Sequence, residues 1–551
     1  MHNLHPVAKS ILEARSIEDV EGFINLEYDK RPDPFLLTDM DVAVSRILQA
    51  IHSNEKICAW TDYDCDGIPA GALLSDFFEM IHYPLRSYIP ERSEGYALNE
   101  QGIQKLKDEG VSLIITADAG ITSNKEVAFA QSLGIDVIVT DHHLPSETLP
   151  PAVAIINPHR ADDTYPFKDL CGTGVAFKLV EALLSKGSFD VVAGNEKWLL
   201  DLVALATVAD MVSLTGENRT LVSYGLLVAR KGRRKGMRVL LEKMRVPYRT
   251  ITEDDFAFSI APKINASSRM ESPLLGLELL TTTSTERANE LAKHLVNLNN
   301  ARKLEGARVS KEVKKRLDGS QLSRVIVMGR SSWNPALLGI AATGIVEMYE
   351  RPVCLWGKDG SLIKGSCRSD GTVNIVSLMK EAEDLFEDFG GHELSGGFSL
   401  KEGAIHQLPE ALEKAYASVT SGEKKDEPMQ IDGTLTLSEV GKSLYTSLRH
   451  LAPFGVENPK PIFQFSNVRV ERVLYFGKHK EHTRVTISDD TGRAIDAIVF
   501  FSDRSSFKNE LALLSKGDRV SVCACVEESS FGNKTELRLR IENIEIKTTV
   551  Q

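Results

Sequence analysis

Within the first 143 residues, three short apolar runs each end in acidic or imidazole side chains. KICAW, at 56–60, leads into Asp62, Asp64 and Asp66, followed by Gly67; the run ending at Thr116 leads into Asp118; the run ending at Thr140 leads into Asp141, His142 and His143. A further run, AVAII, follows at 152–156, and helical patterns fill the intervals. Strands separated by helical segments in this way belong to a parallel sheet with crossover helices. In an open sheet of that kind ligands bind beyond the carboxyl ends of the strands, so three separate loops would converge on one crevice. A fourth acid, Asp210, closes the apolar stretch LLDLVALATVA.

So many like charges raise one another's pKa and resist desolvation, and divalent cations are the natural counter-charge. Carboxylates and imidazoles without thiolates favour Mn²⁺ or Mg²⁺, with Zn²⁺ as the alternative. Two such ions about 3.5–4 Å apart clamp the attacking and leaving oxygens of a phosphoryl displacement, so the pattern points to a phosphoesterase. DYDCDG also looks like the start of a calcium-binding EF-hand loop, but the twelfth position, where that loop needs Glu, is Leu73. Cys65 alternates away from its aspartate neighbours, and Thr122 and Ser123 suit either the cap of the next helix or a phosphate contact, the cap being preferred.

A chain of 551 residues exceeds what a single core supports, so several domains are expected. Residues 284–317, rich in Ala, Glu, Lys, Leu and Arg, read as one long helix or two joined ones. A second, smaller α/β unit follows over 318–418, then the polar linker SGEKKDEPMQ. Beyond residue 460, period-two runs such as RVSVCACVEE and ELRLRIENIEI indicate a small antiparallel barrel. The expected organisation is therefore 1–283 catalytic with an N-terminal extension, 284–317 connecting helix, 318–418 second domain, 419–460 linker and start of the last module, and 461–551 barrel.

A net charge of −12 argues against a nucleic-acid partner, because phosphate contacts are made by Lys and Arg, although a local patch can overrule the total. The run Arg230, Lys231, Arg233, Arg234, Lys235 and Arg238 is such a patch, read in preference as a solvated helix end. No apolar run approaches the roughly 18 residues that cross a bilayer, and the seven cysteines read as free thiols, so a soluble, cytoplasmic protein without membrane contacts is expected.

DYDCDG, TADAG, TDHH and LATVADMV, in that order, resemble the four motifs of the DHH phosphoesterases. The resemblance implies that Asp64, Asp66, Asp118, His142 and Asp210 hold two divalent cations, Mn²⁺ or Mg²⁺, with Asp118 bridging. It places His143 at the scissile phosphate and Asp62 in support of the cluster, so that His143, Asp118 and Asp62 carry the catalysis. Asp141 would orient a neighbouring histidine.

Further segments, among them IPERSEGYALN, CGTGVAFKL, APKINASSRM, GSCRS, GGHELSGGF and PFGVENPKPIF, are similar to the family's single-strand-specific DNA exonuclease branch. That similarity spans nearly the whole chain. It implies an α/β fold: a parallel-sheet DHH domain and a smaller α/β DHHA1 domain joined by a long helix, then an OB-like β-barrel. It implies 5′-to-3′ hydrolysis of single-stranded DNA to 5′-mononucleotides in repair and recombination, with Arg269, Ser366, Arg368 and His392 on substrate phosphates. A monomer working beside a helicase and a single-strand-binding protein is implied on the same ground. Thr61, Pro69 and Asn334 depart from the family pattern, but none is a metal ligand. Two rivals are a nanoRNase or cyclic-dinucleotide phosphodiesterase, against which the barrel argues, and a metal-free scaffold, against which the complete ligand set argues.

Overall fold

The computed structural model describes residues 4–319, 321–420, 429–477, 480–531 and 534–546. Most of the expected linker, 421–430, lies outside the described residues. The chain divides into two compact units: Tyr28–Lys424 with Gly455–Glu457, and Met1–Glu27 with Lys425–Phe454 and Asn458–Gln551.

The larger unit is built on two sheets. The first contains β1 (Lys56–Thr61), β2 (Leu85–Tyr88), β3 (Val111–Ala117), β4 (Asp136–Thr140) and β5 (Ala154–Ile156), in the order β2-β1-β3-β4-β5 with every pair parallel. Both faces are covered, which is why the strands read as unbroken apolar runs. On β1, Ile57 and Ala59 enter one core while Cys58 and Trp60 enter the other. Ser123 takes the N-cap position of the helix Asn124–Ser132, but its hydroxyl makes no capping bond.

A single helix, Thr285–Leu317, leads to the second sheet. The hydroxyl of Ser284 caps its start, and Lys314, Lys315 and Arg316 face the negative end of its dipole. The second sheet holds β6 (Ile326–Gly329), β7 (Val353–Asp359), β8 (Leu362–Arg368), β9 (Phe386–His392) and β10 (Ser395–Leu400), in the order β6-β7-β8-β10-β9. Only β6 and β7 run parallel. Contrary to the expectation of seven free thiols, Cys354 and Cys367 form a disulfide; they stand directly opposite each other on β7 and β8, a register that linear spacing does not show.

The smaller unit is a closed five-stranded barrel of β12 (Phe463–Phe476), β13 (His482–Ser488), β14 (Ala494–Val499), β15 (Arg519–Phe531) and β16 (Lys534–Ile546), with the two-residue β11 (Gly433–Thr434) beside β12. Closure comes from β12 pairing with β15. The all-antiparallel expectation is corrected at one seam, since β14 and β16 run parallel. An odd ring of five strands cannot alternate direction all the way round. The described part of the N-terminal extension, expected with the catalytic domain, packs here instead: Ile11 and Leu12 of the helix Pro6–Ala14 are buried in the barrel's core, and Arg15 pairs with Asp432 at 3.1 Å. The apolar face of that amphipathic helix finds its cover there. No helix among the described residues is long and apolar enough to cross a membrane.

Candidate metal centre

The carboxyl ends of β1, β3 and β4 deliver their charged residues to one place. After β1 the chain turns sharply through Asp62–Asp66 into the helix Gly67–Met80. Gly67 is required there by close approach, because a Cβ would lie 2.3 Å from the carbonyl oxygen of Asp62. The Asp64 carboxylate accepts the backbone N–H groups of Asp66 at 2.7 Å and Gly67 at 3.2 Å, which fixes the turn. Beyond β3, the Asp118 N–H donates to Thr140 at 3.1 Å, and beyond β4 the Asp141 N–H donates to Ile156 at 3.1 Å. These bonds carry the sheet's register past its edge and hold Asp118 and Asp141 level. Asp118 takes φ +61°, a left-handed backbone of the kind stored at functional sites. Asp210 caps the carboxyl end of the helix Leu200–Ala209.

His142 Nε2 lies 3.2 Å from Asp118 Oδ1 and 3.7 Å from both Asp66 Oδ2 and Asp210 Oδ2. Three groups bring their donor atoms within 4.8 Å of one another: Asp62, Asp64 and Asp118; Asp66, His142 and Asp210; and Asp118, His142 and His143. All five residues expected as ligands fall in these groups, with Asp118 and His142 each in two, and Asp62 and His143 reach the same space. Asp62 Oδ1, Asp118 Oδ1 and His142 Nε2 are buried without any hydrogen-bond partner. Orphaned buried groups of this kind call for a partner, and two acidic oxygens beside an imidazole nitrogen are the donor set of a divalent cation.

The electrostatics agree. Burial, and then the charge of Asp64, pushes the Asp62 carboxyl well up; burial, and then Asp66 and Asp64, does the same to Asp118. Asp210 is raised to about 8 by burial and by Asp66 and Asp64. Burial lowers the pKa of His142, leaving a neutral imidazole with a lone pair to offer. His143 goes the other way: burial disfavours its charge, but the hydrogen bond and charge of Asp141, 2.7 Å away, outweigh it and raise the pKa to about 9. Asp141 stays low despite burial because His143 and the N–H of Ile121 stabilise its charge.

Two supporting elements lie in CGTGVAFKL and IPERSEGYALN, segments whose sequence gives a resemblance but no role at the site. Both oxygens of Asp66 are held by the first N–H groups of the helix Gly172–Lys186, Gly172 at 2.6 Å and Thr173 at 2.7 Å, where the helix dipole favours an anion. A Cβ at Gly172 would sit 2.4 Å from Asp118 Cβ, so the glycine lets the helix reach both carboxylates. Being uncharged, Gly172 and Thr173 carried no chemical signal. Tyr96 is the second: its hydroxyl lies 3.3 Å from His143 Nε2, with the rings edge to face.

A groove of about 670 Å³ runs from Tyr63, Arg92 and Tyr96 past Arg269 to Asn334 and the strands of the second sheet. Arg269 donates to the Ala336 carbonyl at 2.9 Å, and burial together with Arg92 and Arg302 lowers its pKa to about 10. Ser366 and Arg368 lie on β8, joined to each other at 3.1 Å, and do not line that groove. Arg368 packs over Gly339, where a Cβ would meet its guanidinium at 2.6 Å, and among the described residues it has no carboxylate partner. Ser395 pairs with Arg368 on one side and the exposed His392 on the other, so the three form one row across the sheet.

The basic run at 230–238 is largely spent internally. Arg234 is clamped between Asp76 and Asp201 at 2.9 and 2.8 Å, Arg233 lies over Trp198, and Lys235 donates to the Thr283 carbonyl at 2.6 Å. Cys65 is buried in the core.

Three family models match the chain: the DHH family N-terminal domain over 56–207, the DHHA1 domain over 322–421 and the RecJ OB domain over 431–543. Among curated proteins, the single-stranded-DNA-specific exonuclease RecJ of Bacillus subtilis is 32% identical over 549 residues, covering 98% of this chain and 68% of that protein. Its counterpart from Salmonella typhimurium is 34% identical over 488 residues, 85% of this chain and 84% of that one. The crystal structure of RecJ with Mn²⁺ from Thermus thermophilus shares the fold, with a TM-score of 0.82, 24% identity, and coverage of 98% of this chain and 76% of that one. A crystal structure of exonuclease RecJ bound to manganese matches at 30% identity with a TM-score of 0.60, over 69% of this chain and 95% of that one.

Proposed function

The chain belongs to the RecJ family, and from that premise we propose that it removes 5′-mononucleotides stepwise from the 5′ end of single-stranded DNA, using two divalent cations, Mn²⁺ or Mg²⁺. The observation that carries this reading is the convergence of three orphaned buried donor atoms, on Asp62, Asp118 and His142, beyond the strands of a parallel sheet.

Asp64, Asp66, Asp118, His142 and Asp210 would hold the cations, and Asp62 completes the cluster. When bound, the pair supplies an activated water and neutralises charge on the phosphate. Asp66, tied to a helix N-terminus, and Asp64, tied to its own turn, keep their carboxylates aimed without rearrangement. His143 faces the scissile phosphate: Asp141 keeps the imidazole protonated and Tyr96 fixes its plane, so it can donate to a charging oxygen. Arg269 meets a phosphate in the groove. Arg368, Ser366 and His392 meet phosphates on the second sheet, where a guanidinium fork pairs two oxygens. The barrel adds backbone contacts and base stacking.

Such an enzyme works on strands opened by a helicase and coated by a single-strand-binding protein. Those are the partners we propose for it, acting on a monomer in the cytoplasm. The test is single-stranded DNA labelled at either end, incubated with Mn²⁺ or a chelator beside a duplex control. Metal-dependent release of mononucleotides from the 5′ end, with the duplex intact, is the expected result. Cleavage confined to substrates of two to four nucleotides would instead mark a nanoRNase.

A further inference from the structure

Of the carboxylates placed on the cations, Asp210 is the least secured. Its side chain is 28% exposed, against 2% and 3% for Asp66 and Asp118. Asp66 and Asp64 accept backbone N–H groups, whereas among the described residues the Asp210 carboxylate accepts no hydrogen bond. Its direction is therefore set by its backbone, and so by the turn that follows, Met211–Thr215.

That turn is pinned by a distant piece of chain. The N–H of Leu214 donates to the carbonyl of Val456 at 2.9 Å, and the hydroxyl of Ser213 donates to the Glu457 carboxylate at 2.6 Å. Ser213 also meets the hydroxyl of Thr215 at 2.7 Å, and its carbonyl accepts from Asn218 at 2.9 Å. Gly455 allows the contact, since a Cβ there would fall 2.6 Å from the side chain of Leu214. These three residues, Gly455–Glu457, group with the catalytic unit although Phe454 and Asn458 on either side group with the barrel.

Glu457 adopts this position at φ +60°. A left-handed backbone disfavours any side chain other than that of glycine or, less strongly, asparagine and aspartate. A glutamate held there points to a use for its carboxylate, and the contact it makes is with Ser213, three residues beyond Asp210.

We infer that Gly455–Glu457 is a strap that positions Asp210, with Glu457 as the positioning residue acting through Ser213, and that it thereby tunes how tightly the Asp210 side of the centre holds its cation. The inference rests on the assignment of Asp210 as a ligand. Glu457 touches neither substrate nor cation in this account.

The experiment is Mn²⁺ binding to the intact chain, followed by calorimetry and by the electron paramagnetic resonance of free Mn²⁺, for the parent protein and three variants. Glu457→Gly removes the carboxylate and relieves the left-handed strain, so it should fold with an unchanged or higher Tm. It should weaken one of the two Mn²⁺ sites roughly three- to tenfold, the scale of one ordinary hydrogen bond. Glu457→Gln, still able to accept from Ser213, should stay within about twofold of the parent. In activity, Glu457→Gly should need more Mn²⁺ for half-maximal cleavage yet recover kcat at saturation, a split that a merely structural defect would not give. Unchanged Mn²⁺ affinity in Glu457→Gly, or equal loss in Glu457→Gln, overturns the strap. The control is Asp210→Asn: if it weakens Mn²⁺ while Glu457→Gly does not, the strap alone is wrong. If Asp210→Asn has no effect, the ligand assignment fails and takes the strap with it.

Discussion

The two sheets of the larger unit carry opposite charges and hold them in opposite ways. At the edge of the first, the charges are carboxylates, some fixed by backbone N–H groups, as with Asp64 and Asp66, and others buried with an oxygen lacking a hydrogen-bond partner, as with Asp62 and Asp118. On the second and in the groove, the charges are guanidinium groups resting on carbonyls and a hydroxyl, as with Arg269 and Arg368. Packed acids with raised pKa values call for cations, while arginines resting on neutral groups suit phosphates. One surface gathers carboxylates beyond the strands of a parallel sheet; the other holds guanidinium groups that, among the described residues, rest on neutral partners.

Breaking the acidic side should have the largest effect. Asp118→Ala should reduce cleavage by on the order of a thousandfold or more while single-stranded DNA still binds, as measured by product release beside fluorescence anisotropy. Retained cleavage would sink the two-cation assignment. Breaking the basic side should cost less and fall on a different constant: Arg368→Ala should raise KM roughly ten- to a hundredfold with a smaller change in kcat, and Arg368→Lys should recover only part of it. A loss confined to kcat would remove Arg368 from the grip.

A third effect sharpens the contrast through pH. Without cations, Asp210 has its pKa raised to about 8, above the value near ~4 of an unfolded aspartate, and Asp62 and Asp118 shift the same way. Stability from these protonated acids is present at low pH and lost as pH climbs through the folded value. Melting of chelator-treated protein should therefore respond to added Mn²⁺ more strongly near pH 8 than near pH 5, and an equal rise in Tm at both would contradict the buried acidic cluster. The smallest effect belongs to the basic run that lies in neither surface. Arg233→Ala should change affinity for single-stranded DNA by less than about twofold, because its guanidinium is stacked on Trp198.

The acidic half was legible in the sequence because charged residues at the ends of apolar runs break the pattern sharply. The parallel sheet was visible for the same reason, except for β2, whose Leu85–Tyr88 is half-exposed and carries no continuous apolar signal. What stayed hidden was whatever depends on tertiary register or on small uncharged groups. Gly172 and Thr173 act through backbone N–H groups, Cys354 and Cys367 meet only across a strand pair, and Ser213 meets Glu457 across 244 positions of chain. The segment before residue 28 reads in sequence as an extension of the catalytic domain, and only packing reveals that Ile11 and Leu12 complete the barrel's core. Charge within a run such as 230–238 was equally silent about partners that lie far away in sequence, Asp76 and Asp201.

The most direct test of the account is diffraction at the manganese absorption edge from crystals of the protein grown with Mn²⁺. Two anomalous peaks are expected, one among Asp62, Asp64 and Asp118 and one among Asp66, His142 and Asp210, sharing Asp118 between them. A single peak, or peaks away from these side chains, would contradict the two-cation centre from which the rest of the account follows.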